Sequence, residues 1–226
     1  MALNIVLLGS PGAGKGTQAV QLAGARKVPK ISTGDILREA VQSATELGRT
    51  AKAIMDRGEL VSDDVMIGIV RERLARDDAR AGFILDGFPR TVAQAEALDA
   101  ILADRDPLMV LDIAVSPDEV VRRLGARRVC GACGAIFGDG AAAAVCPTCG
   151  GTLVQRSDDA ESVVRERLKV YARDTEPLTR YYRERRTFAE IDGAQPADEV
   201  GRAVSEAVDR LQAVARQSVD DAGVKA

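Results

Sequence analysis

The stretch Gly9-Ser-Pro-Gly-Ala-Gly-Lys15-Gly-Thr17 directly follows the apolar run Ile5–Leu8. A glycine-rich turn between a strand and a helix lets successive backbone N–H groups approach phosphate oxygens, and the helix N-terminus and the lysine add positive charge. The usual motif has Ser or Thr directly after the lysine, whereas this chain has Gly16 there and Thr17 next. A turn that merely caps a helix is the alternative, but the strand, loop and helix context favours a site for a nucleotide polyphosphate. The residues predicted to bind it are Gly12, Ala13, Gly14, Lys15, Gly16 and Thr17.

Short apolar runs alternate along the chain with longer segments that have helical spacing. The predicted strands are Ile5–Leu8, Gly82–Leu85, Met109–Val115 and Thr187–Ile191. Ser116 followed by Pro117 predicts the start of a helix, and the apolar spacing after Pro196 predicts another. This alternation is typical of an α/β fold in which a parallel sheet is flanked by helices.

The composition limits the class of protein and its partners. The chain has 226 residues, of which 46% are hydrophobic and 3% aromatic, so we expect a core of aliphatic side chains. A net charge of −3 argues against a nucleic-acid partner. No apolar stretch approaches the ~18 residues that a membrane span needs. We therefore expect a cytoplasmic protein that binds neither nucleic acid nor membrane, and no exposed apolar seam suggests more than a monomer. The sequence contains no histidine, so any mechanism must work without imidazole.

Four cysteines form two pairs with the spacing of zinc ligands. Cys130 and Cys133 make the first CxxC pair, and Cys146 and Cys149 make the second. Cytosolic thiols stay reduced, so two such pairs favour a tetrahedral Zn²⁺ site over disulfides. A single CxxC pair can act in redox chemistry, but four thiolates leave zinc no open position, so we expect a structural metal. The alanine run at 141–144 is expected to be a loop within this module.

Four motifs follow one another along the chain: GSPGAGKGTQ at 9–18, STGDILR at 32–38, LDGFPRT at 85–91 and RRVCGACG at 127–134. Together they make the chain resemble, over nearly its whole length, the bacterial adenylate kinases of the zinc-containing, long-lid type. The resemblance implies that a phosphoryl group passes from MgATP to AMP and gives two ADP. It implies Mg²⁺ with ATP and a structural Zn²⁺.

The resemblance also implies how the chain is divided. It predicts a core P-loop domain of residues 1–31, 62–125 and 160–226, a helical AMP-binding insertion at 32–61, and a zinc-stapled lid at 126–159. Because water can also accept a phosphoryl group, we expect the two insertions to close when both substrates are bound.

Catalysis of this kind depends on positioning and positive charge. The resemblance assigns it to Lys15, Asp86, Arg90, Arg127, Arg156 and Arg167. AMP is an anion near neutral pH, so no general base is needed, in agreement with the lack of histidine. Asp86 follows the apolar run Phe83–Leu85, where a parallel sheet places ligand-binding groups, and is expected to order Mg²⁺ through water. A carboxylate that caps the turn at Gly87 is the alternative.

Further contacts are implied for each nucleotide. Besides the phosphate-binding loop, ATP is expected to contact Arg123, Arg127, Ile136, Phe137 and Gln195. AMP is expected to contact Thr33, Arg38, Glu59, Leu60, Val61, Gly87, Phe88, Pro89, Arg90, Gln94, Arg156 and Arg167. Among these, Thr33 and Gln94 bear most on the choice of base, because hydrogen bonds to a base edge discriminate strongly. Gln195 stands where such kinases often have a lysine, so a backbone contact there would survive the change, whereas a side-chain contact would not.

Two other functions remain open at this stage. The first is a kinase for another nucleoside monophosphate, such as UMP or CMP. The second is an ATP-gated binding module whose cysteine ribbon grips RNA or a protein. The acidic chain and the lack of aromatic residues interleaved with basic ones in the ribbon count against this module.

Overall fold

A five-stranded parallel sheet forms the centre of the molecule, in the strand order β2-β3-β1-β4-β8. The computed structural model describes residues 1–138 and 144–223, with side chains up to residue 217. The strands of this sheet are β1 (Leu3–Leu8), β2 (Lys30–Ser32), β3 (Gly82–Asp86), β4 (Leu108–Ala114) and β8 (Phe188–Asp192). All neighbouring pairs are parallel, so the carboxyl ends of the strands lie at one edge. The predicted α/β architecture is confirmed.

Helices cover both faces of this sheet. They are α1 (Lys15–Arg26), α2 (Thr33–Gln42), α3 (Glu46–Asp56), α4 (Asp63–Leu74), α5 (Val92–Ile101), α6 (Pro117–Ala126), α7 (Glu161–Val170), α8 (Pro177–Arg183) and α9 (Ala197–Gly223). Short 3₁₀ turns occur at Asp77–Ala79 and Ser157–Asp159, and a π-helical turn, Tyr171–Thr175, joins α7 to α8.

Alternate residues of β1 supply two separate cores, as the period of a strand requires. Ile5 and Leu7 pack against α1 and α9, whereas Val6 and Leu8 face the core formed with α2, α3, α4, α5 and α8. Every residue of β1 is buried. Apart from Asn4, the strand is apolar on both faces because helices cover both sides of a parallel sheet.

The sequence located four of the five strands within one or two residues. It missed β2, which has only three residues and pairs with one neighbour at the sheet edge. Of these three residues Ile31 is the only buried hydrophobic one, so no apolar run marked the strand. The predicted start of α6 is confirmed, since the Ser116 hydroxyl accepts a hydrogen bond from the backbone N–H of Glu119.

The cysteine-containing segment forms its own small antiparallel sheet. Its strands are β5 (Arg128–Cys130), β6 (Ile136–Phe137) and β7 (Leu153–Val154), in the order β6-β5-β7. The loop predicted at 141–144 falls mostly outside the described residues, which resume at residue 144.

Among the described residues, no helix has the length and apolar character needed to cross a membrane.

Candidate active site

The loop between β1 and α1 has the backbone geometry of a phosphate-binding loop. Gly14 precedes the first turn of α1 with a φ of 99°, a left-handed value that favours glycine. Gly9 has a φ of 133°, and a Cβ there would lie 2.5 Å from the Ile113 carbonyl oxygen. The loop therefore packs directly on β4, and α1 points its N-terminus into the space above the sheet edge.

The lysine of this loop lies inside it. Lys15 Nζ donates hydrogen bonds to the carbonyl oxygens of Gly9, at 2.6 Å, and Ser10, at 2.8 Å. Burial lowers the pKa of Lys15 to about 8, and the nearby Asp86 carboxylate partly opposes this effect. The ammonium group is thus held at the place where the loop would receive phosphate oxygens.

A cavity of about 930 Å³ opens above the loop. This volume is at the upper end of the usual range for small-molecule sites. The cavity walls include every nucleotide-contacting or catalytic residue predicted from the sequence except Phe88. Phe88 is 1% exposed, and its ring packs in the core beneath the site, where an aromatic side chain gains most from burial. Asp86, at the end of β3, lies beside Gly16 of the loop.

Arginine side chains crowd together in this cavity. The Arg90 guanidinium donates from Nε to the Gly87 carbonyl oxygen at 2.9 Å. Burial, reinforced by the charge of Arg167, lowers the pKa of Arg90 to about 10. Burial and the charges of Arg38 and Arg127 likewise lower the pKa of Arg156 to about 10. Cations held together in this way favour polyanionic ligands, whose charge would relieve the repulsion.

Aspartates missed by the sequence reasoning balance part of this charge. Arg127 forms a two-pronged ion pair with Asp159, and Arg167 Nη1 lies 3.0 Å from the Asp158 carboxylate. Asp158 is 9% exposed and Asp159 is 2% exposed. The available signal was the pair of acids Asp158 and Asp159, which follows Arg156 after one serine, because buried carboxylates in a positively charged site need cationic partners.

On the other side of the cavity, the two residues predicted to read the base are almost fully buried. Thr33 and Gln94 are each 1% exposed. The Thr33 hydroxyl donates to the Gly87 carbonyl oxygen at 2.8 Å. Gln94 accepts from the Arg90 backbone N–H and donates to Asp63, a residue of α4 that the sequence reasoning also missed.

The two segments predicted to be insertions meet over the cavity. The Ser157 hydroxyl donates to an Asp56 carboxylate oxygen at 3.2 Å, and this bond links the cysteine-containing segment to the end of α3. Gly58 lies against Arg167, since a Cβ at this glycine would be 3.0 Å from Arg167 Cγ. The Ser157–Asp56 bond therefore joins the two segments directly, whereas Gly58 joins residues 32–61 to α7, outside the predicted lid.

The four cysteines cluster within the small antiparallel sheet. Their Sγ atoms all lie within 4.8 Å of one another. Cys130 and Cys149 are 3.5 Å apart, and Cys133 and Cys146 are 3.7 Å apart. Zinc–sulfur bonds of about 2.3 Å in a tetrahedron place neighbouring sulfurs roughly 3.8 Å apart, so the donor set fits a zinc ion in size and chemistry.

The fold and this site together define a P-loop protein that holds nucleotides at the carboxyl edge of a parallel sheet. Comparison with known proteins specifies the family. The family model for adenylate kinase matches residues 7–187. The chain belongs to the adenylate kinase family, whose members are phosphotransferases.

Curated relatives extend this match over most of the chain. An adenylate kinase of Methanocella arvoryzae is 48% identical over 215 residues, which span 92% of this chain and 100% of that protein. One from Archaeoglobus fulgidus is 47% identical, over 93% of this chain and 100% of the relative. One from Acidothermus cellulolyticus is 51% identical, over 90% of this chain and 97% of the relative.

Proposed function

We propose that this protein catalyses the reversible transfer of the γ-phosphoryl group of MgATP to AMP, which gives two ADP. The observation that carries this proposal is that one cavity contains both the phosphate-binding loop and the buried pair Thr33 and Gln94, with arginines between them. Such a cavity suits two nucleotides whose phosphates meet in the middle. Membership of the adenylate kinase family supports the same reaction.

ATP would bind with its phosphates on the loop. The loop N–H groups and Lys15 would hold the β- and γ-phosphates, and Asp86 would position the water ligands of Mg²⁺. Magnesium bound with ATP neutralises charge that develops on the phosphate oxygens. The adenine of ATP would lie between Arg123 and the side chains of Ile136 and Phe137, all of which line the cavity.

AMP would bind on the opposite side, with its phosphate facing the loop. Arg38, Arg90 and Arg167 would clamp the phosphate, because a guanidinium donates to two phosphate oxygens at once. The attacking oxygen already belongs to an anion, so the protein needs only to align it and to stabilise the charge in transit. The contacts between the two segments over the cavity would keep water away from the γ-phosphate.

For the structural elements, we propose the division expected from the resemblance. Residues 32–61 would form the AMP-binding part, residues 126–159 the lid, and the remaining ranges 1–31, 62–125 and 160–226 the core. We also propose that Cys130, Cys133, Cys146 and Cys149 bind one structural zinc ion. The lid sheet has only short strands, so metal binding would supply much of its folding free energy.

We further propose that the protein acts as a monomer in the cytoplasm. Four cysteines that stay out of disulfides suit a reducing compartment. Light scattering of the purified protein at micromolar concentration tests the monomer, for which the sequence mass of 23.9 kDa is expected.

A substrate panel tests the proposed reaction. Purified protein is incubated with MgATP and one of AMP, IMP, GMP, UMP or CMP, and diphosphate formation is measured by chromatography. We expect AMP to be the best acceptor. Preference for UMP or CMP would assign a different nucleoside monophosphate kinase activity, and no turnover with any acceptor would overturn the proposal and favour a binding module.

A further inference from the structure

We infer that Asp63, at the start of α4, is a positioning residue that fixes the orientation of the Gln94 amide and thereby selects a 6-aminopurine over a 6-oxopurine. The inference rests on the proposed function, in which Gln94 faces the base of the phosphoryl acceptor. It adds a residue that does not line the cavity and that acts only through another side chain.

The Gln94 amide is bonded at both ends. Its Oε1 accepts a hydrogen bond from the backbone N–H of Arg90 at 2.8 Å. Its Nε2 donates to Asp63 Oδ1, also at 2.8 Å. A backbone N–H can only donate and a carboxylate oxygen accepts, so these partners assign the oxygen and the nitrogen of the amide without ambiguity.

Asp63 is itself held in place. Its second oxygen, Oδ2, accepts from the Thr91 hydroxyl at 2.9 Å. Thr91 in turn accepts from the backbone N–H of Gln94 at 3.2 Å, so its single hydroxyl hydrogen is directed to Asp63. Each donor in this network therefore has a defined acceptor, and the network ties the start of α4 to the start of α5.

A flipped Gln94 amide would be costly. Its NH₂ group would face the Arg90 N–H, and its oxygen would face the Asp63 carboxylate, so both hydrogen bonds would be replaced by repulsive contacts. Gln94 is 1% exposed, so no bulk water would replace the lost partners. Asp63 provides one of the two bonds that prevent this flip.

The fixed amide retains one N–H and one oxygen lone pair with which to meet a base. Adenine presents an acceptor at N1 and a donor at its 6-amino group, which complement these two groups. Hypoxanthine presents a donor at N1 and an acceptor at O6, the reverse pattern, which only a flipped amide would match. A site with fixed polar groups rejects the base that leaves them unpaired.

The test compares AMP with IMP as acceptors, because the two differ only at the base edge in question. The variants are Asp63→Ala, which removes the acceptor, and Asp63→Asn, whose amide oxygen still accepts from Gln94. The matched control is Asp99→Ala. Asp99 is also a half-buried aspartate that joins two helices, through bonds to Tyr181 and Arg185 of the α8 region.

We expect Asp63→Ala to lower the ratio of kcat/KM for AMP to kcat/KM for IMP by about tenfold, the effect of losing one hydrogen bond to a charged group. The change should come from a higher KM for AMP, with KM for ATP unchanged. Asp63→Asn and Asp99→Ala should keep the wild-type ratio. If Asp63→Ala does not fold, Asp63→Ser serves in its place, since its hydroxyl is too short to reach Gln94.

An unchanged ratio in folded Asp63→Ala or Asp63→Ser would overturn the inference, as would an equal loss of ratio in Asp63→Asn. A parallel loss of activity with AMP and IMP would indicate a purely structural role and would also overturn it. Failure of the proposed function is a separate outcome, because the wild-type protein would then not phosphorylate AMP at all.

Discussion

At the residue scale, the site contains several buried cationic side chains, and burial makes their charged forms less stable. Lys15, Arg90 and Arg156 all have lowered pKa values because burial removes solvent, and their like-charged neighbours add to this effect. In the absence of ligand these cations repel one another, and bound phosphate groups would reduce this repulsion. The charge state of Lys15 is the most accessible consequence, because its pKa of about 8 lies within the range of ordinary assays.

ATP binding should therefore depend on pH above about 8, the pKa of Lys15. As the pH rises through this value, the free protein loses the ammonium proton, whereas bound phosphates raise the pKa and recover it. Affinity should fall by up to about tenfold per pH unit, with uptake of a proton on binding. Isothermal titration calorimetry in buffers of different ionisation enthalpy measures both the affinity for ATP and the number of protons taken up on binding. The Lys15→Arg variant stays charged in this pH range. If its affinity for ATP still fell with rising pH, titration of Lys15 would not be the cause.

A lysine at position 90 should not be able to replace the guanidinium of Arg90 in catalysis. Its Nε is committed to the Gly87 carbonyl oxygen, which leaves the paired terminal nitrogens for a phosphate. Arg90→Lys should lower kcat by roughly 10²-fold, as loss of a preorganised donor does in other enzymes. Arg185→Lys is the control, because Arg185 pairs with Asp99 away from the cavity. Equal rates for Arg90→Lys and the wild type would exclude a role in the transition state.

At the scale of elements, the phosphate-binding loop and the cysteine pairs could be predicted because their function lies in local spacing. Backbone turns and paired thiols need residues only a few positions apart. Strand β2 could not be predicted, since three residues with one buried hydrophobic side chain carry no periodicity. The cysteine sheet has only short strands, and we propose that it depends on a bound zinc ion rather than on an apolar core.

Loss of zinc should therefore damage the lid before the core. We expect native mass spectrometry to find one zinc ion per chain in the wild type and none in the double variant Cys133→Ser with Cys149→Ser. The double variant should keep the circular dichroism spectrum of the wild type. Its KM for ATP should rise more than its KM for AMP, because Ile136 and Phe137 of the lid line the cavity. If the metal-free double variant had the same kcat and KM values as the wild type, a structural role for zinc would be refuted.

At the scale of the whole molecule, the features that the sequence did not predict are pairings between distant segments. Asp63 meets Gln94, Asp159 meets Arg127, and Ser157 meets Asp56 across a separation of 101 positions. No spacing rule connects such residues, because the fold alone brings them together. All the side chains predicted to contact nucleotides, apart from Phe88, nevertheless line the cavity, because most of them lie in or near recognisable motifs.

We predict that the lid moves between an open and a closed form, and that the Ser157–Asp56 contact belongs to the closed form. Spectroscopic labels at the exposed positions Val145 in the lid and Val20 in α1, introduced as unnatural amino acids, report the distance between lid and core. We expect this distance to shorten when a bisubstrate analogue of ATP and AMP is added, because the lid should open without ligand. A pair of labels at Val20 and Val92, both on the core, serves as the control. An unchanged lid-to-core distance would contradict the closure.

The most direct measurement follows the transferred group itself. The protein is incubated with AMP and with MgATP that carries ³²P in its γ-phosphate. The ADP formed is then isolated, and its β-phosphate is cleaved off and counted. We expect the label to appear in the β-phosphate of ADP, with two ADP formed for each ATP consumed. Label released as inorganic phosphate, or label that stays in ATP while AMP is present, would contradict phosphoryl transfer between two nucleotides in this cavity.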